Sequence, residues 1–151
     1  MTKILFVCHG NICRSPMAEF IMKYLVDKDG MSKNFFIASA ATSTEEIGND
    51  IYPPAKRKLN EKHIPFQPRS ARQITENDYY DFDYIIVMDS NNMRNINHII
   101  PQDPLMKIHK LMDFSDTPGD VADPWYTGDF EKAYEHIFYG CLGLLSHIKR
   151  P

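Results

Sequence analysis

The opening segment constrains this chain more than any other stretch. Lys3–Cys8, KILFVC, is apolar after its first residue, too short for a helix and followed by Gly10, so it reads as a buried strand. A run with no polar face belongs in the middle of a parallel sheet covered on both sides. Ser15-Pro16 then offers an N-cap hydroxyl and a proline at the first helical position, and Met17, Phe20, Ile21, Tyr24 and Leu25 recur at helical spacing. The opening is therefore strand, glycine-bearing loop, helix.

The alternation continues. Phe35–Ala38 reads as a second strand, and Pro53/Pro54 to Lys62 as a second helix ended by Ile64-Pro65. Thr75–Tyr80 forms a short capped helix, and Tyr84–Met88 a third buried strand. Asp89/Ser90 cap a helix that stops before Pro101, and a weaker strand falls at Lys107–Leu111. From Phe130 through Ala133, Tyr134, Ile137, Cys141, Leu144, Leu145 and Ile148 the apolar residues return every three or four positions, which marks a long last helix. No repeat, linker or low-complexity tract interrupts 1–151, so one domain is expected, an α/β doubly wound sheet with ligands bound beyond the carboxyl ends of its strands.

Composition removes several function classes. Hydrophobic residues make up 43% of the chain, enough for a core, so intrinsic disorder is excluded. A net charge of −3 gives no basic excess, which argues against nucleic-acid binding. No apolar run approaches the ~18 residues of a membrane span, and the first strand lacks the length and cleavage site of a signal peptide. Three cysteines are too few for a disulfide scaffold, so a cytoplasmic location is expected.

Chemistry concentrates in the first loop, Cys8-His9-Gly10-Asn11-Ile12-Cys13-Arg14-Ser15. Backbone N–H groups between a strand and a helix N-terminus form a concave nest suited to an anion. Arg14 adds a planar fork for two phosphate oxygens, and the same field favours the thiolate of Cys8 as a nucleophile. A nucleoside-triphosphate loop would end in Gly-Lys-Ser/Thr; this one ends in Cys-Arg-Ser. Zinc ligation by Cys8 and Cys13 is disfavoured by their spacing, and the six histidines form no paired ligand motif. Cys141, on the stripe of the last helix, reads as an inert core thiol. Met17, Met22, Met88, Met93 and Met112 read as packing, and Lys149 and Arg150 as a solvated helix end.

The run VCHGNICRSPMAE, together with Ser39–Ser43, Ala71–Thr75, Phe82–Ile85, Met88-Asp89 and Asp123–Tyr126, closely resembles the low-molecular-weight protein tyrosine phosphatases along essentially the full chain. The resemblance implies four parallel strands in a flavodoxin-like arrangement, hydrolysis of phosphotyrosine in proteins without metal or cofactor, and a monomer or weak dimer. It makes Cys8 the nucleophile and Asp123 the general acid, although Asp-Pro alone is an ordinary turn initiator. His9–Ser15 then bind phosphate. Asn11, braced in a strained conformation, is expected to bond toward Ser39, and the Ser15 hydroxyl to stabilise the thiolate; Ser15 as a plain helix cap is compatible with that. Ile12, Glu45, Trp125 and Tyr126 should line the substrate pocket, with the two aromatics forming its wall or serving as ordinary half-buried loop residues. Cys13 should act as redox partner of Cys8.

Three positions depart from the common family pattern. His9 puts a titratable ring on the pocket lip, Glu45 replaces an aromatic on the rim, and Arg69 stands where a histidine is often paired with the aspartate matching Asp89, which suggests an Arg69–Asp89 salt bridge. Two enzymatic alternatives remain. A thiol-dependent arsenate reductase would need redox cysteines after the third strand, and residues 80–95 contain none. In phosphoarginine phosphatases the residue matching Ile12 tends to be threonine. A non-catalytic phosphoprotein-binding module would typically lack Cys8, Arg14 or Asp123.

Overall fold

A computed structural model describes residues 1–150; Pro151, at the end of the expected domain, lies outside them. Four parallel strands, β1 (Thr2–Cys8), β2 (Phe35–Ala41), β3 (Tyr84–Val87) and β4 (Ile108–Lys110), form one sheet in the order β2-β1-β3-β4. The order reverses direction at β1, which puts the loop after β1 at the switch point of a doubly wound sheet.

The apolar run of β1 is uninterrupted because both of its faces are covered. Ile4, Phe6 and Cys8 point into a core with Met17, Ile21, Leu25 and Leu144, from α1 (Arg14–Lys28) and α6 (Phe130–Lys149). Leu5 and Val7 point the other way, against Tyr79 of α3 (Glu76–Asp81) and Ile96 of α4 (Ser90–Ile96). α2 (Pro53–Glu61) contributes Ala55 and Leu59 to the first core, and Cys141, fully buried there, is indeed a packing thiol. Met17, Met22, Met88 and Met112 are buried as well, and Met93 packs at the edge of the second core. Lys149 is an exposed helix end, as expected, and meets Asp29 at 2.9 Å.

Several boundaries differ from the sequence reading. β2 runs three residues beyond Ala38, since Ser39–Ala41, small and unremarkable by composition, pair residue by residue with Phe6–Cys8. α1 starts at Arg14, not after Ser15. Cys13 is its N-cap, no side chain caps the first turn, and the Ser15 hydroxyl turns to Cys8. Proline is therefore inside the first turn, where its missing N–H still costs nothing. α4 ends at Ile96 and tails into turns before Pro101, as its asparagines predispose it to. A 3-10 turn at Leu111–Phe114 and a four-residue helix α5 (Pro124–Thr127) carry no periodic signal. Among the described residues no helix is long and apolar enough to cross a membrane.

Candidate active site

The carboxyl end of β1 delivers Cys8 to the floor of a cleft of about 220 Å³, whose walls include Arg14, Glu45, Glu46, Asp123 and Trp125. Asn11 is the residue that bends the loop, with φ of 59°, a left-handed value that asparagine tolerates better than most side chains. Gly10 does not have positive φ. A Cβ there would meet Glu46 Cγ at 3.4 Å, an ordinary contact.

Asn11 is fully buried, and its amide orientation is set from outside. The Arg72 N–H donates to Asn11 Oδ1 at 3.2 Å, so Asn11 Nδ2 faces Ser15 and donates to its Oγ at 2.8 Å. With that lone pair taken, the Ser15 O–H is available to Cys8 Sγ at 3.0 Å, closer than its other acceptor, Ala40 O, at 3.5 Å. The Asn11 N–H donates to the same sulfur at 3.3 Å. Two donors therefore converge on Sγ. The expected Asn11–Ser39 bond does not form. Ser39 Oγ instead donates to the buried Glu19 at 2.6 Å, because β2 carries Ser39 alongside α1. Arg72 itself is held bidentately by Asp78, the partner of Thr75 in the capping box of α3.

Arg14 is only 3% exposed and has three acceptors. Nη1 donates to Asp89 Oδ2 at 2.8 Å and Val121 O at 3.0 Å, and Nη2 to Asp123 Oδ2 at 3.3 Å. Burial alone would loosen its proton, but the charges of Cys8, Asp89 and Asp123 outweigh it and push the guanidinium pKa above its ordinary value. Asp89 thus belongs to Arg14, and the expected Arg69–Asp89 salt bridge is absent. Arg69 Nη1 donates to Asn49 O, and the Arg69 N–H to Asp50. Asp89 also caps α4, its Oδ1 accepting from the Asn92 N–H at 2.7 Å. The cap is as expected from the sequence, and the expected ion pair of Asp89 forms with Arg14 in place of Arg69.

Asp123 divides its oxygens in the same way. Oδ1 accepts from the Trp125 N–H, capping α5, and Oδ2 meets Arg14, so the turn role and a place in the cleft coexist. Trp125 is half exposed and rests on Tyr52, with centroids 4.9 Å apart. Tyr52, which no sequence signal marked, is anchored by its N–H to Ile12 O, so wall and loop are one packed unit. Tyr126 is 85% exposed at the rim. Glu45 does face the cleft, and its carboxylate meets His9 Nε2 at 2.8 Å across the lip. The segment bearing Glu45 and Glu46 is laced to the loop by Thr42 N–H to Cys8 O and Ser43 N–H to His9 O. Cys13 is buried, and burial together with the neighbouring Cys8 pushes its thiol up to about 12.

Comparison with known proteins agrees with this geometry. The pattern of the low molecular weight phosphotyrosine protein phosphatases matches residues 3–151. Low molecular weight protein-tyrosine-phosphatase YfkJ of Bacillus subtilis is 39% identical over 152 aligned residues, covering 99% of this chain and 97% of the relative, and its crystal structure superposes with a TM-score of 0.93. A low molecular weight protein tyrosine phosphatase of Streptococcus pyogenes is 41% identical with a TM-score of 0.88, over 99% of this chain and 95% of the other. A Drosophila arginine phosphatase is 32% identical with a TM-score of 0.89, over 99% of each. Four parallel strands, a cysteine–arginine loop at the switch point and likeness along the whole length lead to one conclusion: this chain belongs to the low molecular weight phosphotyrosine protein phosphatase family.

Proposed function

We propose that this chain hydrolyses phosphotyrosine in proteins through a cysteinyl-phosphate intermediate. The observation that carries the reading is that Cys8, Arg14 and Asp123 line one cleft with an aromatic wall, Arg14 donating to Asp123 at 3.3 Å. Cys8 Sγ attacks phosphorus in line, the S–P bond forming as the P–O bond to the phenol breaks. The loop amides and the uncapped start of α1 bind the equatorial oxygens. Arg14 joins them through Nη2, whose 3.3 Å contact to Asp123 is the longest of its three, while Nη1 stays on Asp89 and Val121. Asp123 gives its proton to the leaving phenolate, then takes one from the water that cleaves the S–P bond, releasing phosphate and the thiolate. Trp125 and Tyr126 flank the phenyl ring, with Ile12 as the apolar floor of that side.

Two observations favour a second reading, dephosphorylation of phosphoarginine: the lip carries Glu45 and Glu46, and a Drosophila arginine phosphatase shares the fold at 32% identity. Ile12 and the tilted Tyr52–Trp125 ring pair speak for the aromatic substrate. Hydrolysis of matched phosphotyrosine, phosphoserine and phosphoarginine peptides separates the readings. Phosphotyrosine should be hydrolysed fastest, Cys8→Ser should abolish turnover, and Asp123→Ala should slow it by ~10²–10⁴. A faster phosphoarginine reaction, or substantial activity in Cys8→Ser, overturns the proposal.

A further inference from the structure

The segment Val121–Asp123 is pinned at each of its three residues. The Val121 N–H donates to Met88 O at 2.9 Å and its carbonyl accepts from Arg14, while Asp123 is held by Arg14 and by its own cap of α5. Between them the Ala122 N–H donates to His136 Nδ1 at 3.1 Å. This is the one pin that comes from α6, and His136 does not line the catalytic cleft. It lies in a neighbouring groove with Phe114, Glu135 and Tyr139.

We propose that His136 is a positioning residue for the general acid, acting through Ala122 to fix the backbone that aims Asp123. The proposal rests on the reading of Asp123 given above. An amide N–H can donate only to a ring nitrogen that carries a lone pair, so the bond fixes the tautomer with the proton on Nε2. Without that acceptor the Ala122 N–H, half-buried, loses its partner, and the Val121–Ala122 peptide that leads into Asp123 is held through its carbonyl alone, by Arg14. Arg14 keeps Asp89 and so keeps its place over the phosphate site. The loss should therefore fall on proton transfer and leave phosphate binding alone.

The isosteric pair His136→Asn and His136→Leu tests this, since Asn keeps an acceptor near the Nδ1 position and Leu does not. Leucine is the better helix former, so stability favours Leu while the proposal favours Asn. The measurement is kcat/KM for aryl phosphates whose phenols range from acidic to weakly acidic, together with inhibition by inorganic phosphate and thermal melting. Protonation matters most for the poorest leaving groups. His136→Leu is expected to lose up to about 10²-fold on phenyl phosphate, the order of a misaligned catalytic group, and much less on nitrophenyl phosphate. His136→Asn should recover most of that, with phosphate inhibition unchanged in both. Equal rates for Asn and Leu, a loss uniform across leaving groups, or a parallel weakening of phosphate inhibition would overturn the assignment. Asp123→Asn is the control: if it shows no leaving-group dependence, the acid itself is misassigned, whereas dependence there and none in His136→Leu refutes only the role of His136.

Discussion

Removing the Asp89 carboxylate should cost both stability and activity, by amounts that separate its two roles. Its Oδ2 holds the Arg14 guanidinium at 2.8 Å and its Oδ1 caps α4 at 2.7 Å. In Asp89→Ala the lost hydrogen bond to a buried cation costs about 1.5–3 kcal/mol and the lost cap about 1 kcal/mol. The sum, roughly 3 kcal/mol, sits at the low end of the ~3–5 kcal/mol for breaking a buried pair, as it should, because Asp123 and Val121 O still partner Arg14. At about 2–4 °C per kcal/mol for a chain of this size, Tm should fall by about 6–12 °C. Asp89→Asn keeps a cap and a neutral acceptor and should lose only about 1 kcal/mol, and Asp89→Ser keeps the cap alone. Activity should order differently from the cap. With Asp89 gone, Arg14 is free to turn fully to Asp123, so kcat/KM in Asp89→Ser should drop by tenfold or more, up to the ~10²–10³ of losing a preorganised donor outright. Melting by circular dichroism and aryl phosphate kinetics on the three variants decide the matter. Wild-type kcat/KM in Asp89→Ser would show that Asp89 is only a helix cap.

Four further outcomes can be checked. Because Cys13 is held up to about 12, Cys8 should be oxidised first and Cys13 should resolve its sulfenic acid as a disulfide, more rapidly as pH rises; peroxide-treated wild type should regain activity in dithiothreitol, and equal recovery in Cys13→Ser would refute a protective Cys13. Glu45 and Glu46 should disfavour acidic residues flanking phosphotyrosine by about 1 kcal/mol or less, an effect reduced by salt; an acidic-to-basic kcat/KM ratio identical in wild type and Glu45→Gln excludes Glu45 from substrate reading. Gly143→Ala should destabilise despite alanine's advantage of about 1 kcal/mol in a helix, since the new Cβ would lie 1.9 Å from Phe114 O, a backbone atom that no rotamer change can move; a raised Tm would refute it. Glu131, lowered from 4.5 to about 2 by hydrogen bonds from Lys58 and Lys62, stabilises the fold above its unfolded value and loses that contribution as pH falls from about 4.5 toward 2, so the stability gap between wild type and Glu131→Gln should close on acidification; a gap constant from pH 6 to 3 refutes it.

What the sequence made legible divides along one physical line: features fixed by neighbours in sequence, against features fixed by which segments meet. The uninterrupted Ile4–Val7 run and the stripe Ala133, Ile137, Cys141, Leu144 carry their own periodicity, and both are buried as that periodicity requires. Cys8, Asn11, Arg14 and Ser15 fall within one turn of chain, so the loop that gathers them is local. Partners are another matter. Arg14 and Arg69 present the same guanidinium, and nothing in their neighbours says which reaches Asp89; the answer depends on β3 delivering Asp89 beside the start of α1. Ser39 finds Glu19 instead of Asn11 for the same reason, and Asn11 accepts from Arg72 and donates to Ser15 instead. Asp123 lies on the boundary between the two kinds of feature. Its turn chemistry is local and readable, but its second oxygen acquires meaning only where Val121–Asp123, β3 and α1 converge on Arg14. A carboxylate with two oxygens can serve a helix cap and a reaction at once, and for that reason a correct local reading of Asp123, or of Asp89, never excludes the functional one.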